Sequence, residues 1–260
     1  MKVLFALLVI SCLFPNHSIA ERLTFVAENY THFEFEENGK IQGFTVDILK
    51  AILAKTKHTG SFNIHPWARA ERESLRAANT VIHTLTRSEE REDNYHWLGP
   101  IAPRKVFFYK ARRRNDISIK TLNDAKAFKT AVIRGQAITK FLLKNGFKAD
   151  KHLIIVNGDK QRFDLLRYGR IDLIVFVEPV LNWRMAKLND PNLKLEKAFL
   201  IDDSKSYYVG FNKETSPKIV ADFRSVYEEM KHDGSIAQLQ CKYMKQCEVT
   251  PSTNKGIGDE

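Results

Sequence analysis

The sequence predicts an α/β fold with mostly parallel sheets, and three observations carry that expectation. From residue 21 onward, short apolar runs alternate with amphipathic stretches. Most of the runs are β-branched or aromatic, and several are apolar on both faces, as strands covered by helices must be. The composition is that of an ordinary globular chain: 260 residues, 43% hydrophobic and 28% charged, enough for one large or two medium domains.

Taken in order, the first twenty residues stand apart. "MKVLFALLVISCLFPNHSIA" has one lysine, an apolar run from Val3 to Phe14, a helix-breaking Pro15 and a small-residue site ending at Ala20. This reads as a signal peptide over 1–20, cleaved after Ala20, which exports the mature chain. The run falls short of the about 18 apolar residues a membrane span needs. "VISC" loosely resembles a lipoprotein box with Cys12 as the anchored residue, a weaker alternative because a better site follows.

Strands are expected at 23–27, 61–65, 80–84, 106–110, 130–134, 153–156, 172–177 and 206–212. Between them, "TVDILKAILAK" puts Ile48, Leu49, Ile52 and Leu53 on one helical face, with Thr45 as its cap. "QAITKFLLKNG" stops at Gly146 and "DKQRFDLLRYGR" runs from Asp159 to Gly169. "SPKIVADFRSVYEEMKHDG" has Ser216 as cap, Pro217 in the first turn and Gly234 at its end. Cys241 and Cys247 lie in "CKYMKQC"; an oxidising compartment makes a disulfide the first expectation. The polar tail, 249–260, is expected to fray.

Net charge is +10, one less once Lys2 leaves. The basic residues are spread along the chain, so no nucleic-acid site is expected; the dense run Lys110–Asp116 reads as a connector. The histidines show no metal spacing, no cofactor motif is present, and His83, inside an apolar strand, reads as structural. No G-x-S-x-G, Walker A or H-E-x-x-H pattern occurs. "VIRGQA" offers backbone N–H groups at a helix start, where an anion can sit.

The stretch "TLTRSEEREDNYHWLGP", 84–100, sets a problem. Ser88 can cap a short helix whose first turn suits Glu89 and Glu90, but Arg91 falls in the same turn, where positive charge is disfavoured. Either it pairs with Glu89, Glu92 or Asp93, or it is a guanidinium placed to grip a carboxylate.

"ENGKIQGFTVDILKAIL", "PWARA", "TLTRSEERE" with "WLGPI", "AVIRGQA" and "YGRIDLIVFVEPVL" follow one another in an order that resembles the family 3 extracellular solute-binding proteins. The resemblance spans about 21–245 and includes the amino-acid receptors of ABC importers. It implies two α/β lobes, the type II periplasmic-binding-protein fold, with ligand in the cleft between them. Lobe 1 would be 21–108 plus 203–248 and lobe 2 would be 109–202, with crossovers at Phe107–Arg112 and Phe199–Ser204. It further implies that Arg91 clamps a ligand carboxylate and that Thr86 assists, with Thr84 on the same strand face. Tyr30 would stack on the ligand and Trp67 would form the other wall, unless Trp67 is a packing residue. Gly135 and Gln136 would offer their N–H groups.

Two positions depart from the family pattern. The ammonium-binding aspartate is Val177 here, and a hydroxyl residue is Ala137. Glu178 could take over the ammonium if the chain bends at Pro179. Tyr207 and Tyr208 are expected mainly in the core. The expectation is a monomeric, non-enzymatic binder of a small carboxylate-bearing solute that serves an importer permease or a membrane sensor. The rivals are a dehydratase-like enzyme of the same fold, with Glu178 as its acid or base, and a non-transport accessory protein.

Overall fold

The computed structural model describes residues 20–244. The expected signal peptide up to residue 19, Cys12, Cys247 and the tail 249–260 lie outside the described residues. So does one half of the expected disulfide, whose Cys241 sits on the last helix.

Ten strands and seven α-helices follow one another: β1 (Arg22–Ala27), β2 (Phe35–Glu37), β3 (Lys40–Gln42), α1 (Phe44–Lys55), β4 (Thr59–Ile64), α2 (Trp67–Ser74), β5 (Thr80–Thr86), β6 (Tyr95–Ala111), β7 (Thr130–Ile133), α3 (Ala137–Lys144), β8 (Leu153–Val156), α4 (Asp159–Arg167), β9 (Leu173–Val177), α5 (Glu178–Leu188), β10 (Leu195–Asn212), α6 (Pro217–His232) and α7 (Ser235–Met244). Eight of the strands form one sheet in the order β4-β1-β5-β10-β6-β9-β7-β8; β2 and β3 pair as a hairpin.

At one end of the sheet β4, β1 and β5 are parallel, and at the other β9, β7 and β8 are parallel. These blocks carry the βα alternation read from the sequence. Two long antiparallel strands, β6 and β10, join them: Tyr95–Ala102 of β6 pairs with the second half of β10, beside β5, and Val106–Ala111 pairs with its first half, beside β9. The sheet is therefore less parallel than expected. Apolar runs alone point to 106–110 and 206–212, and the resemblance adds crossovers at 107–112 and 199–204; the remaining parts of these strands are polar or interrupted, as in "PRK".

Apolar faces decide the packing. Leu23, Phe25 and Val81 of the first block are buried against Ile48, Leu49 and Ile52 of α1, and α6 and α7 pack on α1. Ala131, Val132, Leu173 and Ile174 of the second block are covered by Leu142 of α3 and Phe163 of α4. Helix ends follow the expected chemistry at α6, where the Ser216 hydroxyl accepts the Lys218 N–H at 3.3 Å and Pro217 opens the helix. They do not at α1: its cap is Gly43, at φ 136, and Thr45 is already helical. Only glycine fits there, since a Cβ would collide with the Phe33 carbonyl.

Lys110–Asp116 is a self-satisfied turn. Lys110 is buried and its Nζ donates to the Arg114 and Ile117 carbonyls, while Arg114 pairs with Asp116 and Asp172.

Candidate functional site

The parallel strands of both blocks point their carboxyl ends toward a common crevice, the usual place for a ligand in an open α/β sheet. A partly open cavity lies there. Its walls come from the segment after β1 (Glu28, Tyr30, Glu34), the end of β5 (Thr84, Thr86), the start of α2 (Trp67), Arg91, β6 (Arg104, Val106), the β7–α3 junction (Gln136, Ala137, Ile138), α4 (Arg162), β9 (Val175, Phe176, Val177) and β10 (Tyr207).

Arg91 sits on a 3-10 turn, Glu89–Asn94, and is only 3% exposed. None of its acidic neighbours in sequence holds it. Glu92 pairs with Arg87, and Glu89 reaches toward Lys144. Its partner is Glu71, twenty residues earlier on α2: Oε1 accepts from Nε at 3.0 Å and from Nη2 at 2.6 Å. Nη1 donates to the Thr86 carbonyl at 3.1 Å, and the guanidinium carbon lies 5.3 Å from the Trp67 ring centre. So Thr86 touches Arg91 through its backbone carbonyl, and its side chain lines the cavity.

Thr84 is in the left-handed region at φ 53, costly for a β-branched residue. The pairing of β5 with β10 shows the cause. Leu85 faces Tyr208 and Ile82 faces Gly210, so two residues of β5, His83 and Thr84, oppose one of β10. This bulge brings both side chains to one carboxylate: Glu34 Oε2 accepts from Thr84 Oγ1 at 2.5 Å and lies 3.1 Å from His83 Nδ1. Thr45 Oγ1, 3.0 Å from Thr84 Oγ1, completes the cluster. Burial raises the Glu34 pKa, against the hydrogen bonds from His83 and Thr84. His83 is structural, as expected.

Glu28 was not anticipated. Its Oε2 accepts a 2.8 Å hydrogen bond from the Gln136 side-chain amide across the cavity. Desolvation dominates and pushes its pKa up to about 7. Among the described residues no cation pairs with it, whereas each cavity arginine already holds a carboxylate: Arg91 has Glu71, Arg104 has Asp202 and Arg162 has Asp159. The Arg162 guanidinium carbon also sits over the Phe176 ring, 3.8 Å from its centre.

Tyr30 and Tyr207 share a hydrogen bond of 3.0 Å and form an aromatic wall; burial raises both phenol pKa values. Tyr207 is a buried core residue, as expected, and also lines the cavity, while Tyr208 packs at 5.9 Å on Trp97, away from it. Trp67 is both wall and packing residue: it is buried, and its Nε1 donates to the Gly135 carbonyl at 3.1 Å.

Two expected contributors behave differently. The Gln136 N–H donates to Ile133 O, so the residue presents its side chain to the cavity rather than a free backbone N–H. Glu178 does not line the cavity. The chain turns into α5 at Glu178–Pro179, and the carboxylate swings out to Lys197 at 2.8 Å. Val177 stays in the wall. The bend at Pro179 is present, but it carries Glu178 out of the cavity rather than into it.

Among the described residues no cluster of three or more His, Cys, Asp or Glu could hold a metal, and no helix is long and apolar enough to cross a membrane.

Residues 24–246 match the model for bacterial extracellular solute-binding proteins, family 3. The chain belongs to this family. The two-lobed architecture implied by the ordered motifs is also that of its structural relatives. A probable amino-acid-binding protein, YxeM of Bacillus subtilis (strain 168), is 24% identical over 218 residues, 82% of this chain and 80% of that one. An ancestral arginine-binding protein bound to arginine superposes with a TM-score of 0.75 at 23% identity, covering 85% of this chain and 97% of that one. A histidine kinase sensor domain with similarity to periplasmic binding proteins superposes at 0.74 with 18% identity, over 86% and 96% of the two chains. At such identities the likeness establishes the fold and leaves the ligand of this family 3 protein to its own residues.

Proposed function

We propose that this family 3 protein is a periplasmic binder of a small, amino-acid-like solute that carries both a carboxylate and an ammonium group. The lobes, 21–108 with 203–248 and 109–202, close on it and deliver it to an ABC importer or a membrane-bound sensor. No step of the proposal is catalytic.

The observation that carries the proposal is the charge distribution in the cavity. Arg91 is buried at one wall and spends three of its five N–H bonds on Glu71 and Thr86, so the rest of its fork is free for a carboxylate. Glu28 is a carboxyl group in the same cavity that, among the described residues, is hydrogen-bonded to the neutral Gln136 amide and makes no ion pair. A ligand ammonium supplies the missing counter-charge, and so Glu28 takes the role that Val177 lacks and Glu178 is turned away from. Tyr30, Trp67, Phe176 and Tyr207 form apolar walls, as small-molecule sites commonly have.

The sensor destination is favoured by the likeness to a histidine kinase sensor domain, the importer destination by the amino-acid-binding relative.

A thermal-shift screen against L-amino acids, dicarboxylates, small peptides and polyamines tests this reading, because a ligand that binds only the folded chain raises Tm by mass action. The expected hits are zwitterions. Hits confined to polyamines, or to dicarboxylates without an ammonium group, contradict it.

A further inference from the structure

Arg91 belongs to two surfaces at once. On one side it lines the cavity. On the other it lines a groove on the outside of the molecule, together with Glu71, Arg72 and Lys140. Glu71 faces this groove and is absent from the cavity wall.

The helix that carries Glu71 explains how it comes to be there. Trp67, Ala70 and Ser74 are the buried stripe of α2, at helical spacing. Glu71 falls in that stripe, where an apolar residue is the rule, and its side chain is 17% exposed. A carboxylate at a core-facing position is costly unless it has a partner. Its partner is Arg91, held by two hydrogen bonds to the single oxygen Oε1. One turn earlier, Trp67 supplies the flat face against which the guanidinium rests. These contacts fix both the plane and the rotation of the guanidinium. A second cation meets the same oxygen from the opposite half of the molecule: Lys140 Nζ of α3 is 3.8 Å from Glu71 Oε1. The β7–α3 junction lies alongside, since a Cβ on Gly135 would stand 3.7 Å from Glu71 Oε2.

We infer that Glu71 is a positioning residue: it presets the Arg91 guanidinium for an anionic group in the cavity, and Lys140 ties that setting to the approach of the second half. The inference rests on the reading of Arg91 as a carboxylate clamp. With the halves apart, Glu71 Oε1 binds Arg91 alone. With the halves together, Lys140 also meets the oxygen and offsets the negative charge of Glu71 that a ligand carboxylate would feel, while the two hydrogen bonds still hold the guanidinium in place. Closure and anion capture therefore reinforce each other through one carboxylate.

The test uses the full mature chain labelled with 15N-arginine. The Arg91 Nε–H resonance, assigned by its loss in Arg91→Lys, is followed by NMR in ligand-free protein and then during titration with acetate as a plain carboxylate probe. In wild type the Nε–H is protected from exchange and shifts saturably with acetate. In Glu71→Gln, exchange is faster and the half-saturating acetate concentration rises about tenfold, since a charged hydrogen bond is lost. Glu71→Asp restores part of both. Lys140→Met changes an exposed residue and tests the coupling without threatening the fold: Nε–H protection stays, and acetate binding weakens about two- to threefold, the scale of a weak ion pair. Unchanged protection and unchanged acetate response in Glu71→Gln overturn the inference. If Nε–H protection depends on Glu71 while wild type ignores acetate, it is the clamp reading that fails, and the positioning role falls with it.

Discussion

Arg91 and Glu28 show how differently two charged residues can be read. Arg91 stood out because a cation in an acid-rich helical turn is out of place, but its partner could not be found locally: the acids beside it bind elsewhere, and Glu71 comes from a helix twenty residues away. Glu28 and Glu34 gave no such signal, because acids in "AENYTHFEFEEN" look like ordinary surface residues until the fold buries them. A weak signal existed for Glu71, an acid in the apolar stripe of α2. At this scale the Glu28 carboxyl makes a pH prediction. Its pKa is about 7 in the folded chain, against 4.5 ordinarily. Between these values the folded chain keeps a proton that the unfolded chain has released. The contribution to stability is thus fully present below about 4.5 and is lost as pH rises through about 7. Glu28→Gln should therefore raise Tm relative to wild type more at pH 8 than at pH 5, as scanning calorimetry would show; an equal shift at both pH values contradicts the burial of an unpaired carboxyl. A bound ammonium favours the ionised form, so ligand binding near pH 7 should release protons. Titration calorimetry in buffers of different ionisation enthalpy reads this directly.

Among the elements, β1, β7, β8 and β9 were legible because their apolar runs are short and continuous, and α3, α4 and α6 because glycine or proline marks their ends. The hairpin β2–β3 and the polar portions of β6 and β10 were not legible, since a strand held by long-range pairing needs no apolar run of its own. The bulge in β5 was invisible for another reason: "TVIHTLT" alternates normally in sequence, and only the register with β10 reveals that His83 and Thr84 oppose one residue. Gly43 is the element-scale test. Its φ of 136 and the Phe33 carbonyl leave no room for a side chain at the start of α1. Gly43→Ala should lower stability by about 2 kcal/mol or more, from strain and displaced backbone. A urea midpoint shift reports it, and a neutral result would place the α1 cap elsewhere.

For the whole molecule, ordered motifs disclosed the family and two-lobed plan, while the contacts that join the two halves could be seen only in three dimensions. Besides Trp67–Gly135 and Gln136–Glu28, the hairpin β2–β3 meets α5 at the rim, where the Phe35 and Trp183 rings are 6.2 Å apart and Lys187 Nζ is 3.9 Å from Glu37. Arg184 Nη2 donates to the Asn29 carbonyl at 2.6 Å beside them. In the proposed closure these contacts would hold the halves together, so Trp183→Ala should speed ligand release several-fold with little change in association, the usual division for contacts formed after encounter. Stopped-flow displacement measures both rates. The central claim, a zwitterion held by Arg91 in this cavity, is tested most directly by calorimetric titration of wild type and Arg91→Ala with the amino acid that gives the largest thermal shift. The prediction is a loss of affinity of about a hundredfold in a variant that remains folded, since two charged hydrogen bonds disappear. Equal affinity in the two proteins would contradict it.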